Sequence, residues 1–121
     1  MLLNNLYKIQ NIHSTEKHLV DIEIIPSHEI FLGHFPNNPV MPGVCLIQII
    51  KECTEQITGK ELQMLTGDNI KFTAVLDPRV HGNVKVSISL KEKENGSLQA
   101  DASVFYGEIS FFSFKGSFRD K

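Results

Sequence analysis

The chain has 121 residues and a net charge of −2, with 41% hydrophobic and 21% charged side chains. That is the balance of a soluble globular protein and the length of one domain spanning residues 1–121. It excludes a nucleic-acid binder, since no basic arm or stripe is present, and no apolar run approaches the roughly 18 residues of a membrane span.

From the N-terminus, MLLNNLYKIQ has no basic n-region and is interrupted by Asn4 and Asn5. This argues against a secretory leader and for a cytoplasmic location. A short strand is predicted around Leu6 to Ile12. HLVDIEII (18–25) alternates, with Val20, Ile22 and Ile24 on one face and Asp21 and Glu23 on the other, the pattern of a half-buried strand. Four prolines and Gly33 between Pro26 and Pro42 exclude regular structure through most of that stretch.

A helix is predicted next, through VCLIQIIKECTEQITGK. Pro42 suits its first turn, where a missing N–H costs nothing, and Gly59 suits its C-terminal cap. Val44, Cys45, Leu46, Ile47, Ile49 and Ile50 put apolar groups on every side. The first two turns are therefore expected to be surrounded by protein, with charge returning beyond Lys51 at Glu52 and Glu55. Cys45 and Cys53 are separated by roughly 12 Å of helical rise, too far for a disulfide, and read as reduced core thiols.

Beyond the helix, Ile70, Phe72 and Ala74 alternate in one strand and Val84, Val86, Ile88 and Leu90 in the next. Asn95-Gly96 is a strong hairpin signal opening a strand of Leu98, Ala100, Ala102 and Val104. Phe111, Phe112, Phe114 and Phe118 suggest a last strand after a tight turn at Gly107-Glu108, and read as core and interface. This order predicts an α+β fold, one central helix wrapped by an antiparallel sheet.

The connection from Pro26 to Gly43 is the segment suited to chemistry, because long loops in compact domains are usually functional. It delivers His34 to a helix start, where the N–H groups of Gly43 and its neighbours are unpaired and carry partial positive charge. Such donors hold a carbonyl oxygen on which negative charge grows, and glycine lets a substrate approach the backbone closely. Gln48 is the only polar side chain between Val44 and Ile50. A buried amide without a partner costs about 1–3 kcal/mol, so Gln48 is expected to line a cleft or to be satisfied structurally. His13, His18, His28 and His81 share no metal-ligand spacing, and no metal site is expected.

EIFLGHFPNNPVMPGVCLIQ (29–48) resembles the signature of the 3-hydroxyacyl-[acyl carrier protein] dehydratases, Gly-His-Phe-Pro-x-x-Pro-Val/Ile-x-Pro-Gly leading into an apolar helix. His34, Phe35, Pro36, Pro39, Val40, Pro42 and Gly43 fall on the pattern. Cys45 takes the place of the usual Leu, and NIKF (69–72) extends the likeness. The resemblance implies a hot-dog fold, and a homodimer or dimer-based oligomer whose sheets join edge to edge with active sites at the subunit interface. The implied reaction removes water from a 3-hydroxyacyl thioester on the phosphopantetheine of acyl carrier protein or coenzyme A. It belongs to fatty-acid or polyketide-type biosynthesis and uses no cofactor.

The resemblance also implies roles. His34 is the base, and the Gly43 backbone N–H holds the thioester carbonyl, with Val40 nearby. Phe35, Pro42 and Val44 border the substrate. The family's acid lies fourteen residues after the histidine, on the other subunit; here that position is Gln48, whose amide has no proton to give near neutral pH. Glu29 and Glu52 are candidate replacements, Glu52 one turn beyond Gln48 but expected to lie too far out. Two alternatives remain open: a hot-dog acyl thioesterase, with Gln48 and His34 positioning water, and a non-catalytic acyl-binding protein or partner subunit.

Overall fold

The computed structural model describes residues 1–33 and 39–121. Its strands are β1 (Tyr7–Ser14), β2 (His18–Ile24), β3 (Leu62–Phe72), β4 (Asn83–Glu92), β5 (Leu98–Tyr106) and β6 (Ile109–Asp120). Helix α1 (Ile30–Gly33) is a single turn, and α2 (Gly43–Thr58) is the main helix. The strands form one antiparallel sheet in the order β1-β2-β4-β5-β6-β3.

Alternation does what the sequence predicts in the middle of the sheet. Val20, Ile22 and Ile24 of β2, Val84, Val86 and Ile88 of β4, and Ala100, Ala102 and Val104 of β5 all face inward and are buried. The β4–β5 and β5–β6 connections turn at Gly96 (φ 84°) and Gly107 (φ 57°), where a side chain would be strained. On β6 a bulge opposite Val104 and Phe105 leaves Phe111 unpaired, and the consecutive Phe111 and Phe112 are both buried. These side chains close over Cys45, Leu46, Ile49, Ile50 and Cys53 of α2. Each Val, Leu, Ile or Phe buried among them contributes roughly 1.5–3 kcal/mol. The sheet curls around the helix, and the architecture is the hot-dog fold.

Three local expectations are corrected. β3 begins at Leu62, well before the predicted alternation, and Ala74 lies beyond its end. Two register shifts, between Met64 and Thr66 and between Gly67 and Asn69, break the period of two there. Pro42 stands one residue before the helix as its N-cap (φ −63°, ψ 143°) rather than in the first turn. Within the chain α2 is not enclosed on all sides: Val44 is 74% exposed and Ile47 is half-buried. The sheet covers one face of the helix and leaves the other open.

α2 ends as expected. Gly59 adopts the left-handed conformation (φ 70°) and returns its N–H to the Glu55 carbonyl at 2.8 Å.

Candidate functional site

Two features of α2 bear on chemistry, its start and its second turn. At the start, Pro42 offers no side-chain cap. The Pro42 carbonyl accepts from Cys45 N–H at 3.0 Å and Leu46 N–H at 3.3 Å. Among the described residues the N–H groups of Gly43 and Val44 have no partner, leaving the positive end of the helix dipole open.

The approach to this point is anchored on either side. Pro39 and Met41 are buried, and Met41 N–H donates to the Leu76 carbonyl at 2.9 Å. Val40 and Pro42 are half-buried beside them. Gly43 lies under the ring of Phe72, where a Cβ would come within 2.7 and 2.8 Å of Cζ and Cε1. Any side chain at position 43 would have to push the Phe72 ring aside, so glycine serves close packing as well as backbone access. The Phe72 ring is held by Phe112, with centroids 4.9 Å apart. No sequence pattern pointed to Phe72 as a neighbour of Gly43. His34 and Phe35 lie outside the described residues.

At the second turn, Gln48 is half-buried and faces an open cleft of about 360 Å³. The cleft is lined by Ile47, Gln48 and Lys51 of α2 and by Leu62, Gln63 and Met64 of β3, with Lys121 at its rim. Gln48 Nε2 donates to Glu52 Oε2 at 2.6 Å. Both expectations for Gln48 thus hold together: its amide is satisfied structurally and its side chain lines a cleft.

Glu52, one turn beyond Gln48, is fully buried. Its carboxylate accepts from Leu2 N–H at 2.9 and 3.1 Å, Leu3 N–H at 2.8 Å and Tyr7 Oη at 3.0 Å, besides Gln48. Burial pushes its pKa up, but the hydrogen bonds from Leu2, Gln48, Leu3 and Tyr7 outweigh burial and hold it below the usual carboxylate range. An ionised carboxylate has no proton to give. Glu29 is exposed, at the turn leading into α1.

Tyr7 stays neutral and donating, because burial and the neighbouring Cys53 and Glu52 push its phenol far up. Burial, reinforced by the charge of Glu52, pushes the Cys53 thiol up to about 12, and burial also raises Cys45. Both cysteines are free and buried, and neither is poised as a nucleophile. Among the described residues no cluster of His, Cys, Asp and Glu could hold a metal, and no helix is long and apolar enough to cross a membrane.

Residues 10–106 match the family model ApeI-like, that of the ApeI dehydratase. A 3-hydroxyacyl-[acyl-carrier-protein] dehydratase FabZ from Lactobacillus helveticus is 28% identical over 104 residues, covering 80% of this chain and 70% of that protein. The FabZ of Caulobacter vibrioides is 29% identical over 106 residues, covering 86% of this chain and 62% of that one. Among solved structures, a chain of the dehydratase heterocomplex ApeI:P from Xenorhabdus doucetiae matches with a TM-score of 0.71 at 18% identity, over 92% of this chain and 96% of that chain. A mutant of the fluoroacetyl-CoA-specific thioesterase FlK matches with a TM-score of 0.66 at 16% identity, over 91% and 88%. At these identities the two structural likenesses speak for the fold alone.

Proposed function

The chain belongs to the ApeI-like dehydratase family, and on that premise we propose that it removes water from 3-hydroxyacyl thioesters carried on acyl carrier protein or coenzyme A. The observation that carries this reading is the start of α2. Two backbone N–H groups without partners among the described residues stand at a glycine roofed by Phe72, directly after the His34 to Pro42 motif.

In the proposed reaction the thioester carbonyl accepts from the Gly43 N–H, with Val40, Pro42 and Val44 bordering the acyl group and Phe35 nearby in the motif. Polarising that carbonyl acidifies the Cα proton, which His34 takes. The C2–C3 double bond forms as the C3–O bond breaks. Gln48 has no proton to give, so the proton taken by His34 is the one available to the departing hydroxyl, which leaves as water. The reaction is redox-neutral and calls for no cofactor. One histidine then does the work of a base and an acid, and turnover is slow, since a positioned acid contributes about 10²- to 10⁴-fold.

We further propose that the site needs two copies. Gly43 sits against Phe72 at one end of β3, whereas Gln48 faces Leu62 to Met64 at the other. β3 is an edge strand with Met64, Leu65 and Phe72 exposed. Antiparallel pairing of two β3 edges about a two-fold axis sets the Phe72 end of one copy beside the Met64 end of the other. His34 and Gly43 of one copy would then meet Gln48 of the next.

A second reading is favoured by the Gln48–Glu52 pair, in which an amide bonded to a carboxylate stands where the family's acid would be. In it the chain pairs with a different hot-dog subunit that supplies the acid. The test is to incubate the purified chain with 3-hydroxyacyl thioesters of both carriers, following enoyl formation and thiol release in parallel. Enoyl formation by the chain alone supports the first reading. Enoyl formation only after a partner subunit is added supports the second.

A further inference from the structure

We infer that Glu52 is a positioning residue that fixes the polarity of the Gln48 amide, so that Gln48 offers its carbonyl oxygen to the 3-hydroxyl of the substrate. The inference rests on the dehydratase reading for its substrate, but on the geometry of the described residues for its mechanism.

A glutamine amide has a donating and an accepting end, and alone on a helix it rotates freely between them. Glu52 removes that freedom. Leu2 N–H, Leu3 N–H and Tyr7 Oη converge on its carboxylate as donors, so Glu52 is an acceptor there whatever Gln48 does. The group facing it at 2.6 Å from position 48 must then be the NH₂ end. A charge-assisted contact of that length is about twice as strong as a neutral one, enough to hold one orientation. Oε1 is left over. It has no hydrogen-bond partner among the described residues, and it is not buried without one, a condition found there only at His81 Nδ1. Gln48 also lines the cleft between α2 and β3.

An outward-facing acceptor selects for a donor. A 3-hydroxyacyl group carries an O–H at the position the family's acid would address; the 2-enoyl product and a saturated acyl chain carry none. Gln48 held by Glu52 therefore discriminates the hydroxylated substrate and orients its C3–O bond. If the amide turned over, its NH₂ would donate to the hydroxyl oxygen instead, and the O–H would no longer be directed at position 48.

The test has a spectroscopic arm and a kinetic arm. The Gln48 side-chain amide is assigned in the wild type by its absence from the Gln48→Ala spectrum. One of its two amide protons is expected far downfield and slow to exchange, with Glu52→Gln returning it to an ordinary position. In turnover of a 3-hydroxyacyl thioester, Glu52→Gln is expected to lower kcat/KM about tenfold in the wild-type background. In the Gln48→Ala background it should change nothing further, because its effect passes through Gln48. An ordinary amide proton in the wild type, or an equal loss in both backgrounds, would overturn the assignment. If the wild type alone forms no enoyl product, the reading of the chain as a dehydratase by itself fails, and the wild-type amide spectrum alone decides whether Glu52 holds Gln48.

Discussion

The helix carries a carboxylate that accepts from four donor groups, all of them neutral, and two consequences can be measured. The folded pKa of Glu52 lies below its ordinary 4.5, so the folded state favours the ionised form. Its contribution to stability is complete above that ordinary value and is lost as pH falls through the lower folded one. Urea midpoints are expected to drop on acidification below about pH 4.5, with a smaller drop in Glu52→Gln. At neutral pH Glu52→Ala should cost about 2–4 kcal/mol, because buried donors on Tyr7 and the Leu2–Leu3 backbone lose their acceptor. The same carboxylate shapes what an acid at position 48 would do. Gln48→Glu sets two carboxyls within hydrogen-bond reach, where one proton is shared and one pKa rises strongly. Such a proton suits a general acid, and Gln48→Glu is expected to speed enoyl formation by about 10²-fold. A variant slower than wild type would show that the amide itself is the working group.

At the scale of elements, strand β3 and helix α2 hold the parts that were least and most legible. β2, β4 and β5 have one buried and one wet face, and their period of two was plain in the residues. β3 lies at an edge, exposed along most of its length, and its two register shifts interrupt any alternation. Only Ile70 and Phe72 of it could be read, with Gly67-Asp68-Asn69 resembling a turn. The α1 turn was hidden by the prolines around it; its local signal is His28, whose Nδ1 accepts from Ile30 N–H at 3.0 Å. α2 was clear because Gly59 and its apolar run mark it. Yet the same run misled about enclosure, since apolar residues on a helix face left open by the sheet read like core residues in the sequence. That residual exposure leads to a test of the β3 edge. Leu65→Glu would set like charges near the centre of a two-fold strand pair. It is expected to turn a dimer into a monomer in light scattering and to abolish thioester turnover without unfolding the sheet. Unchanged mass and full turnover would remove the two-copy site.

For the molecule as a whole, the hot-dog architecture brings a helix dipole, a glycine under an aromatic ring and a cleft-lining amide onto one scaffold. The motif from His34 to Gly43 carried most of the functional information, because its prolines and glycine specify a backbone path rather than a packing face. What could not be read was the partner of Gln48: residues 2, 3, 7 and 52 are distant in sequence, and only folding brings them together. The most direct test of the proposed activity compares wild type with His34→Ala on a 3-hydroxyacyl thioester, monitoring enoyl absorbance and free thiol together. The expected result is slow enoyl formation without thiol release, abolished in a His34→Ala protein that keeps its fold. Thiol release without enoyl product, or enoyl formation undiminished in His34→Ala, would contradict it.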